Sequence, residues 1–250
     1  MRGNWTLLKW MVVPAGLALA TAQADAPQPL TKEALAKKLP GVEASDITDS
    51  PVPGLYQVAV GSDIAYVTQD GRYVLQGELY DAATSKNLTE ATRAKARVDM
   101  LATIDRNHMI VYGPKDGKIK HTITVFTDID CGYCRQFHRD IDKVTALGIE
   151  VHYLFFPRTG PNTESWTKAE EVWCAKDRKT ALTRAKLGGE LQGTKCADNP
   201  VEAQWLLGQR LGVRGTPAVF SETGELLGGY LTPSALEKRL DEEDSKVAAN

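Results

Sequence analysis

Two cysteines three positions apart, in Cys131-Gly132-Tyr133-Cys134, have the residue type and spacing that point most directly to chemistry. They lie between a run of β-branched and apolar residues, Thr122 to Thr127, and a helical pattern reaching to about Leu147, after which comes the apolar strand Ile149 to Phe156. A C-x-x-C at the strand-to-helix junction of such a βαβ unit reads as a dithiol redox site. The first thiol falls at the helix N-terminus, where unpaired backbone N–H groups and the helix dipole favour negative charge. The thiolate is the nucleophile, and a free thiol of pKa about 8.5 is only about 3% ionised at pH 7, so lowering the Cys131 pKa makes it both available for attack and a good leaving group. Cys134 lies one helical turn on, within reach of a mixed disulfide at Cys131. Asp130 precedes Cys131 and opposes its ionisation. His138 lies four residues beyond Cys134, but the helix carries it away from Cys131, and it reads as a surface or partly packed histidine.

The chain has four cysteines, and the other two, Cys174 and Cys196, lie in a mostly helical stretch from Glu164 to about Leu211. Three pairings are formally open; local spacing favours Cys131 with Cys134 and leaves Cys174 with Cys196 as a structural disulfide. Closing a loop of that length would stabilise the fold by about 3 kcal/mol. A four-cysteine zinc site would need two close-spaced pairs, and only one exists, so no metal is expected. Disulfides imply an oxidising compartment, and the N-terminus agrees. Arg2 and Lys9 precede the apolar core Met11 to Ala20 and the small-residue site Ala22-Gln23-Ala24, the three-part order of a signal peptide over residues 1–24. The apolar core is about half the roughly 20 residues that a membrane-spanning helix needs, and the leader holds no cysteine to lipidate. The expected product is soluble and exported. The formal net charge of −2 and pI near 6.1 leave no electrostatic footprint for nucleic acid.

The elements that must position the dithiol divide into two units and a connector. In residues 25–86, Thr31 caps a short helix, Lys32 to Leu39. The strands Leu55 to Val60, Ile64 to Thr68 and Arg72 to Tyr80 follow, with Asp70-Gly71 expected to form a type I′ hairpin turn. A unit this small buries little surface and exposes strand edges, so pairing with a second copy would solve both problems. Residues 87–107 read as one stiff connector helix, with Asn87 as N-cap, Glu90 as its capping-box partner, and Glu90, Arg93 and Arg97 on a solvated face. Residues 108–250 carry the strand Met109 to Tyr112, the βαβ unit, the helical insertion, Gly215-Thr216-Pro217-Ala218-Val219-Phe220 leading into a hairpin at Thr223-Gly224, and a closing helix, Pro233 to Leu240. Thr216-Pro217 heads a strand, where a residue lacking N–H fits, and X-Pro is the bond that tolerates cis.

The run Val125-Phe126-Thr127-Asp128-Ile129-Asp130-Cys131-Gly132-Tyr133-Cys134 resembles the active-site segment of the DsbC/DsbG family of bacterial periplasmic thiol:disulfide isomerases. Tyr153-Leu154-Phe155-Phe156-Pro157-Arg158, Trp173-Cys174-Ala175-Lys176-Asp177, Gly215-Thr216-Pro217-Ala218-Val219 and Gln76-Gly77-Glu78-Leu79-Tyr80-Asp81 fit the same family. The resemblance implies an α+β fold class: a small cystatin-like N-terminal dimerisation domain, a helical linker, and a C-terminal thioredoxin-like α/β domain with a helical insertion. It further implies a V-shaped periplasmic homodimer whose apolar cleft takes misfolded disulfide-containing exported proteins, kept reduced by a membrane thiol reductant of the DsbD type. Carried over by motif, Cys131 attacks, Cys134 resolves and Pro217 is the cis-proline, with Thr216 and Tyr133 placed to contact substrate. No organic cofactor is implied. Chaperone activity accompanies the isomerase reading. The alternatives are a DsbG-like sulfenic-acid reductase, a holdase in which the thiols are secondary, and a DsbA-type oxidase, against which the N-terminal unit argues.

Overall fold

The computed structural model describes residues 28–193 and 196–248, so the leader expected over residues 1–24 lies outside the described residues. Thr31 accepts a hydrogen bond from the Ala34 amide at 3.2 Å and opens the short helix α1 (Lys32–Ala36). An antiparallel sheet follows in chain order: β1 (Ile47–Asp49), which the sequence reading omits, β2 (Leu55–Val60), β3 (Asp63–Thr68) and β4 (Val74–Leu75). Leu35 of α1 packs with Ile47, Tyr56, Val58 and Val67 as the core of this unit. The Asp70-Gly71 turn joins β3 to β4, but of the two only Gly71 has positive φ, 71°, so the turn is not type I′. The Asp70 side chain accepts instead from the Thr68 hydroxyl and the Arg72 amide.

The single strand expected from Arg72 to Tyr80 is broken. β4 ends at Leu75, and β5 (Tyr80–Asp81) pairs with β6 (Lys86–Asn87). Gly77 gives the run no side chain to pack. The Leu79 amide donates to the Thr89 hydroxyl, and the Leu79 carbonyl accepts from the Leu88 amide, turning the chain toward α2 (Leu88–Leu101).

Asn87 caps α2 by accepting from the Glu90 amide at 2.9 Å. The helix ends well before residue 107: the Thr103 hydroxyl donates to the Met100 carbonyl, and Asp105 caps a separate 3-10 turn, Arg106–His108. Nor is its charged face solvated. Arg97 is buried, donates to Glu90 at 2.7 Å and to the Gly224 carbonyl at 3.1 Å, and stands over the Phe220 ring. Arg93 donates to the Ser62 carbonyl at 3.2 Å and pairs with Glu78 and with Glu90. Glu90 therefore serves two arginines rather than the helix N-terminus, and α2 is docked along its length.

The second sheet has the order β11-β10-β8-β9-β7, built from β7 (Ile110–Tyr112), β8 (His121–Thr127), β9 (Ile149–Phe155), β10 (Ala218–Ser221) and β11 (Leu226–Gly228). Only β8 and β9 are parallel, joined by α3 (Gly132–Arg139) and α4 (Ile141–Ala146), which divide at Asp140. Both faces of this sheet are buried, so its central strands are apolar on alternate residues in both directions. Ile123, Val125, Val151, Tyr153 and Val219 face one cluster, with Phe137 of α3, Trp166 of α5 (Glu164–Cys174), Leu182 of α6 (Arg178–Lys186) and Leu236 of α8 (Pro233–Ala248). Phe126, Leu154, Ala218 and Phe220 face the other, beneath Leu207 of α7 (Val201–Arg210) and Met100 and Leu101 of α2. The Gly61-Ser62 turn of the first sheet meets α7, with the Ser62 amide donating to the Arg210 carbonyl at 3.0 Å. Among the described residues no helix is long and apolar enough to cross a membrane.

Candidate functional site

The site is built where β8 ends. Asp128, 2% exposed, follows the strand and fixes the loop ahead of the thiols. Its Oδ1 accepts from the Asp130 amide at 2.8 Å and the Ser165 hydroxyl at 2.6 Å, while its Oδ2 accepts from the Arg158 amide and Nε, both at 3.0 Å. Burial disfavours the carboxylate, but these bonds outweigh it and hold the Asp128 pKa below its ordinary value. A loop pinned by a fully bonded buried carboxylate presents the next residues in one geometry.

Cys131 is the N-cap of α3, with extended backbone, and its carbonyl accepts from the Arg135 amide at 3.0 Å. Cys131 and Cys134 are both free thiols and both buried, whereas Tyr133 between them is 69% exposed. The two sulfurs are tuned in opposite directions. At Cys131, burial opposes ionisation, but the Thr216 hydroxyl, the Cys134 amide and thiol, and the Arg158 charge together lower the pKa. Thr216 contributes a second, opposing contact, since its carbonyl accepts from the Cys131 thiol at 3.1 Å and so holds the protonated form. The Thr216 hydroxyl is buried without a hydrogen bond of regular geometry, which leaves the helix terminus and Arg158 as the firmer supports of the thiolate. At Cys134, burial raises the pKa, and the Lys186 charge only partly offsets it. The thiol at the helix N-terminus is thus the more readily ionised of the two. The Thr216-Pro217 bond is cis, and Pro217 is buried immediately before β10.

Charges around the dithiol are balanced rather than simply negative at Asp130. Its Oδ1 accepts from Arg135 and from Lys168, each at 2.9 Å, so the carboxylate expected to oppose Cys131 is spent on two cations. Lys168 also pairs with Glu164 at 2.7 Å.

Residues 18–90 match the family described as the disulfide bond isomerase protein N-terminal domain, and residues 113–243 match the thioredoxin-like domain. The thiol:disulfide interchange protein DsbC of Escherichia coli is 35% identical over 232 residues, covering 93% of this chain and 95% of that protein. The protein of the same name from Haemophilus influenzae is 38% identical over 228 residues, covering 90% of this chain and 94% of its own. The chain belongs to the DsbC family. A solved linker-deletion mutant of Proteus mirabilis ScsC covers 63% of this chain and 86% of that one at a TM-score of 0.50 and 21% identity, a likeness of fold alone. The chain is accordingly a thiol:disulfide interchange protein, with a DsbC-type N-terminal α+β domain and a thioredoxin-like α/β domain.

In this DsbC-family chain Cys131, Cys134, Thr216 and Pro217 come together, with Tyr133 exposed beside them. Cys174 and Cys196 are joined instead to each other, with Cα atoms 5.4 Å apart, tying the end of α5 to the segment ahead of α7. Next to this bridge the Trp173 indole donates to the Asp198 carbonyl at 2.9 Å, and Arg178 stacks over the Trp173 ring. His138 differs from expectation: it is buried, not at the surface, bonded to the Tyr153 hydroxyl at 3.2 Å and Thr183 at 2.9 Å, and burial beside Lys186 brings its pKa down to about 4. Its place on the α3 face of Cys134 and Phe137 was the available signal. Four residues of the site have no expected role from spacing: Thr127, Arg158, Lys168 and Lys186. Arg158 and Thr127 lie in the quoted family runs; Lys186 lies on an ordinary-looking helix, and no sequence signal marks it.

Proposed function

We propose that the protein is a periplasmic protein disulfide isomerase that reshuffles incorrect disulfides in exported proteins through Cys131 and Cys134. The observation that carries the reading is the placement of the two thiols, Cys131 at the N-terminus of α3 with its sulfur against the carbonyl before cis Pro217, and Cys134 buried one turn behind it. The Cys131 thiolate attacks a substrate disulfide, forming a mixed disulfide and releasing one substrate thiolate. That thiolate attacks elsewhere in the substrate, and Cys131 leaves as a thiolate, so no net electrons are transferred. If rearrangement stalls, Cys134 attacks Cys131, the Cys131-Cys134 disulfide closes, and the substrate departs reduced by two electrons. A membrane thiol reductant of the DsbD type then restores the dithiol. Pro217 and Thr216 form the floor on which an extended substrate segment lies, and exposed Tyr133 adds an apolar contact. The bridge between Cys174 and Cys196 is structural.

Residues 1–24 serve as the cleaved export signal, 25–86 as the dimerisation domain, 87–107 as the linker and 108–250 as the catalytic domain. Homodimerisation is supported by an exposed apolar strip at the edge of the first sheet, Tyr73, Val74 and Leu75, continued by Tyr80. Pairing these edges would enclose a cleft able to hold unfolded chains, which is the basis for chaperone activity. The test is recovery of activity by a scrambled multi-disulfide ribonuclease in glutathione buffer. The full chain should accelerate recovery, Cys131→Ser should abolish the effect, and Cys134→Ser should accumulate mixed disulfides visible as a gel shift. Val74→Asp should yield a monomer by sedimentation and lose acceleration while its dithiol still reacts. A full chain that reacts as a dithiol but does not speed recovery would overturn the isomerase reading.

A further inference from the structure

Lys186, the last residue of α6, is a buried basic residue beneath the dithiol with no part in the exchange steps. It is 2% exposed, and its Nζ donates to two neutral oxygens, the Thr127 hydroxyl at 2.6 Å and the Asp128 carbonyl at 2.7 Å. An ammonium here would have only neutral acceptors, which return little of its hydration energy, so burial favours the neutral amine and makes it a proton acceptor. Both partners belong to the loop that carries the thiols. The Asp128 carbonyl also accepts from the Cys131 amide at 3.3 Å, and the Thr127 hydroxyl favours the ionised form of the Cys134 thiol against its burial. Thr127 is therefore a bridge between a buried amine and a buried thiol.

We propose that Lys186 accepts the Cys134 proton through the Thr127 hydroxyl and holds the resulting thiolate by its charge, as a positioning residue for the resolving step. The inference rests on the reading of Cys134 as the resolving thiol. The Cys134 S–H donates to Thr127 Oγ1 as the Thr127 O–H donates to the neutral Lys186 amine, leaving thiolate and ammonium with no proton gained or lost. The thiolate attacks Cys131 Sγ; the Cys131-Cys134 bond forms, the bond from Cys131 to substrate breaks, and the substrate sulfur departs as a thiolate that takes a proton from solvent. The ammonium returns its proton to solvent. Burial favours the neutral form of both groups, raising the Cys134 pKa and bringing Lys186 down to about 8, so the two are moved toward each other. The other groups facing the amine are Asp128 and Cys131, which favour its charge, and Arg135, which opposes it. His138 on α3 is neutral above about pH 4, and Tyr153 of β9 stays protonated because burial raises its pKa.

The test uses the full-length reduced protein and a chromogenic aromatic disulfide in stopped flow. Attack by Cys131 releases one aromatic thiol in a first phase, and closure by Cys134 releases a second. Lys186→Met, which keeps side-chain length and removes charge, should slow the second phase on the order of tenfold at pH 7 and move its pH midpoint up by about one unit, with a smaller change in the first phase. Thr127→Val, which keeps the lysine and removes the bridge, should do the same. An unchanged second phase in both variants overturns the proposal, as does slowing by the same factor at every pH, which would mark a structural role. A different result would sink the underlying reading: if Cys134→Ser releases the second thiol as fast as the unaltered chain, Cys134 is not the resolving thiol.

Discussion

Asp130 shows how a residue's neighbours reverse what its position suggests. From sequence it stands beside Cys131 as a lone negative charge; in the fold it is shared by Arg135 and Lys168. Asp130→Asn would free two cations beside the thiol, so the pH midpoint for alkylation of Cys131 by iodoacetamide should fall further below that of a free cysteine. Asp128 should matter more to stability than to reactivity. Asp128→Ala strands the Ser165 hydroxyl, the Asp130 amide and the Arg158 backbone and side-chain donors, and should cost about 3 kcal/mol in urea unfolding. Much of this site was legible, because a C-x-x-C after a strand and a Thr-Pro before one are local signals. The cations were less so: Arg158, Lys168 and Lys186 arrive from elements remote in sequence, and only Arg158 lies in a run that resembles the family.

At the level of elements, α2 is defined by what it lies against. Gly224, with φ of +82°, abuts the Ala94 carbonyl so closely that a Cβ has no room, and its own carbonyl accepts from Arg97. Gly224→Ala adds that clash to the strain of a left-handed alanine. It should destabilise the protein by roughly 2–3 kcal/mol or more, read as a lower urea midpoint, and should speed proteolysis of α2. The strands β2, β3, β8, β9 and β10 were readable to within a residue or two, since alternation and Gly or Asp-Gly turns are written locally. The course of residues 72–80 and the end of α2 were not, because each is decided by partners elsewhere: Thr89 and Leu88 draw in Leu79, and Asp105 caps a new turn.

For the molecule as a whole, acid stability should fall in two overlapping windows. His138 is held neutral to about pH 4 when folded but gains its proton near the ordinary 6.5 when unfolded. Its contribution is therefore intact above 6.5 and lost as pH falls toward 4, about 3 kcal/mol in all. Glu150, beside Arg106 and His152, is held at about 2 against an ordinary 4.5, so its contribution is intact above 4.5 and lost below. Its share is roughly 1–2 kcal/mol once the exposure of Arg106 is discounted. His138→Gln should flatten the upper part of the stability-against-pH curve and leave the lower part standing. The bridge between Cys174 and Cys196 bears on how the chain itself matures. Synthesis delivers Cys131 and Cys134 ahead of Cys174 and Cys196, so each pair can close with its own neighbour before a rival sulfur follows. The order of the cysteines along the chain thus favours the one bridge that the described residues hold, Cys174 to Cys196, and leaves the C-x-x-C pair to itself.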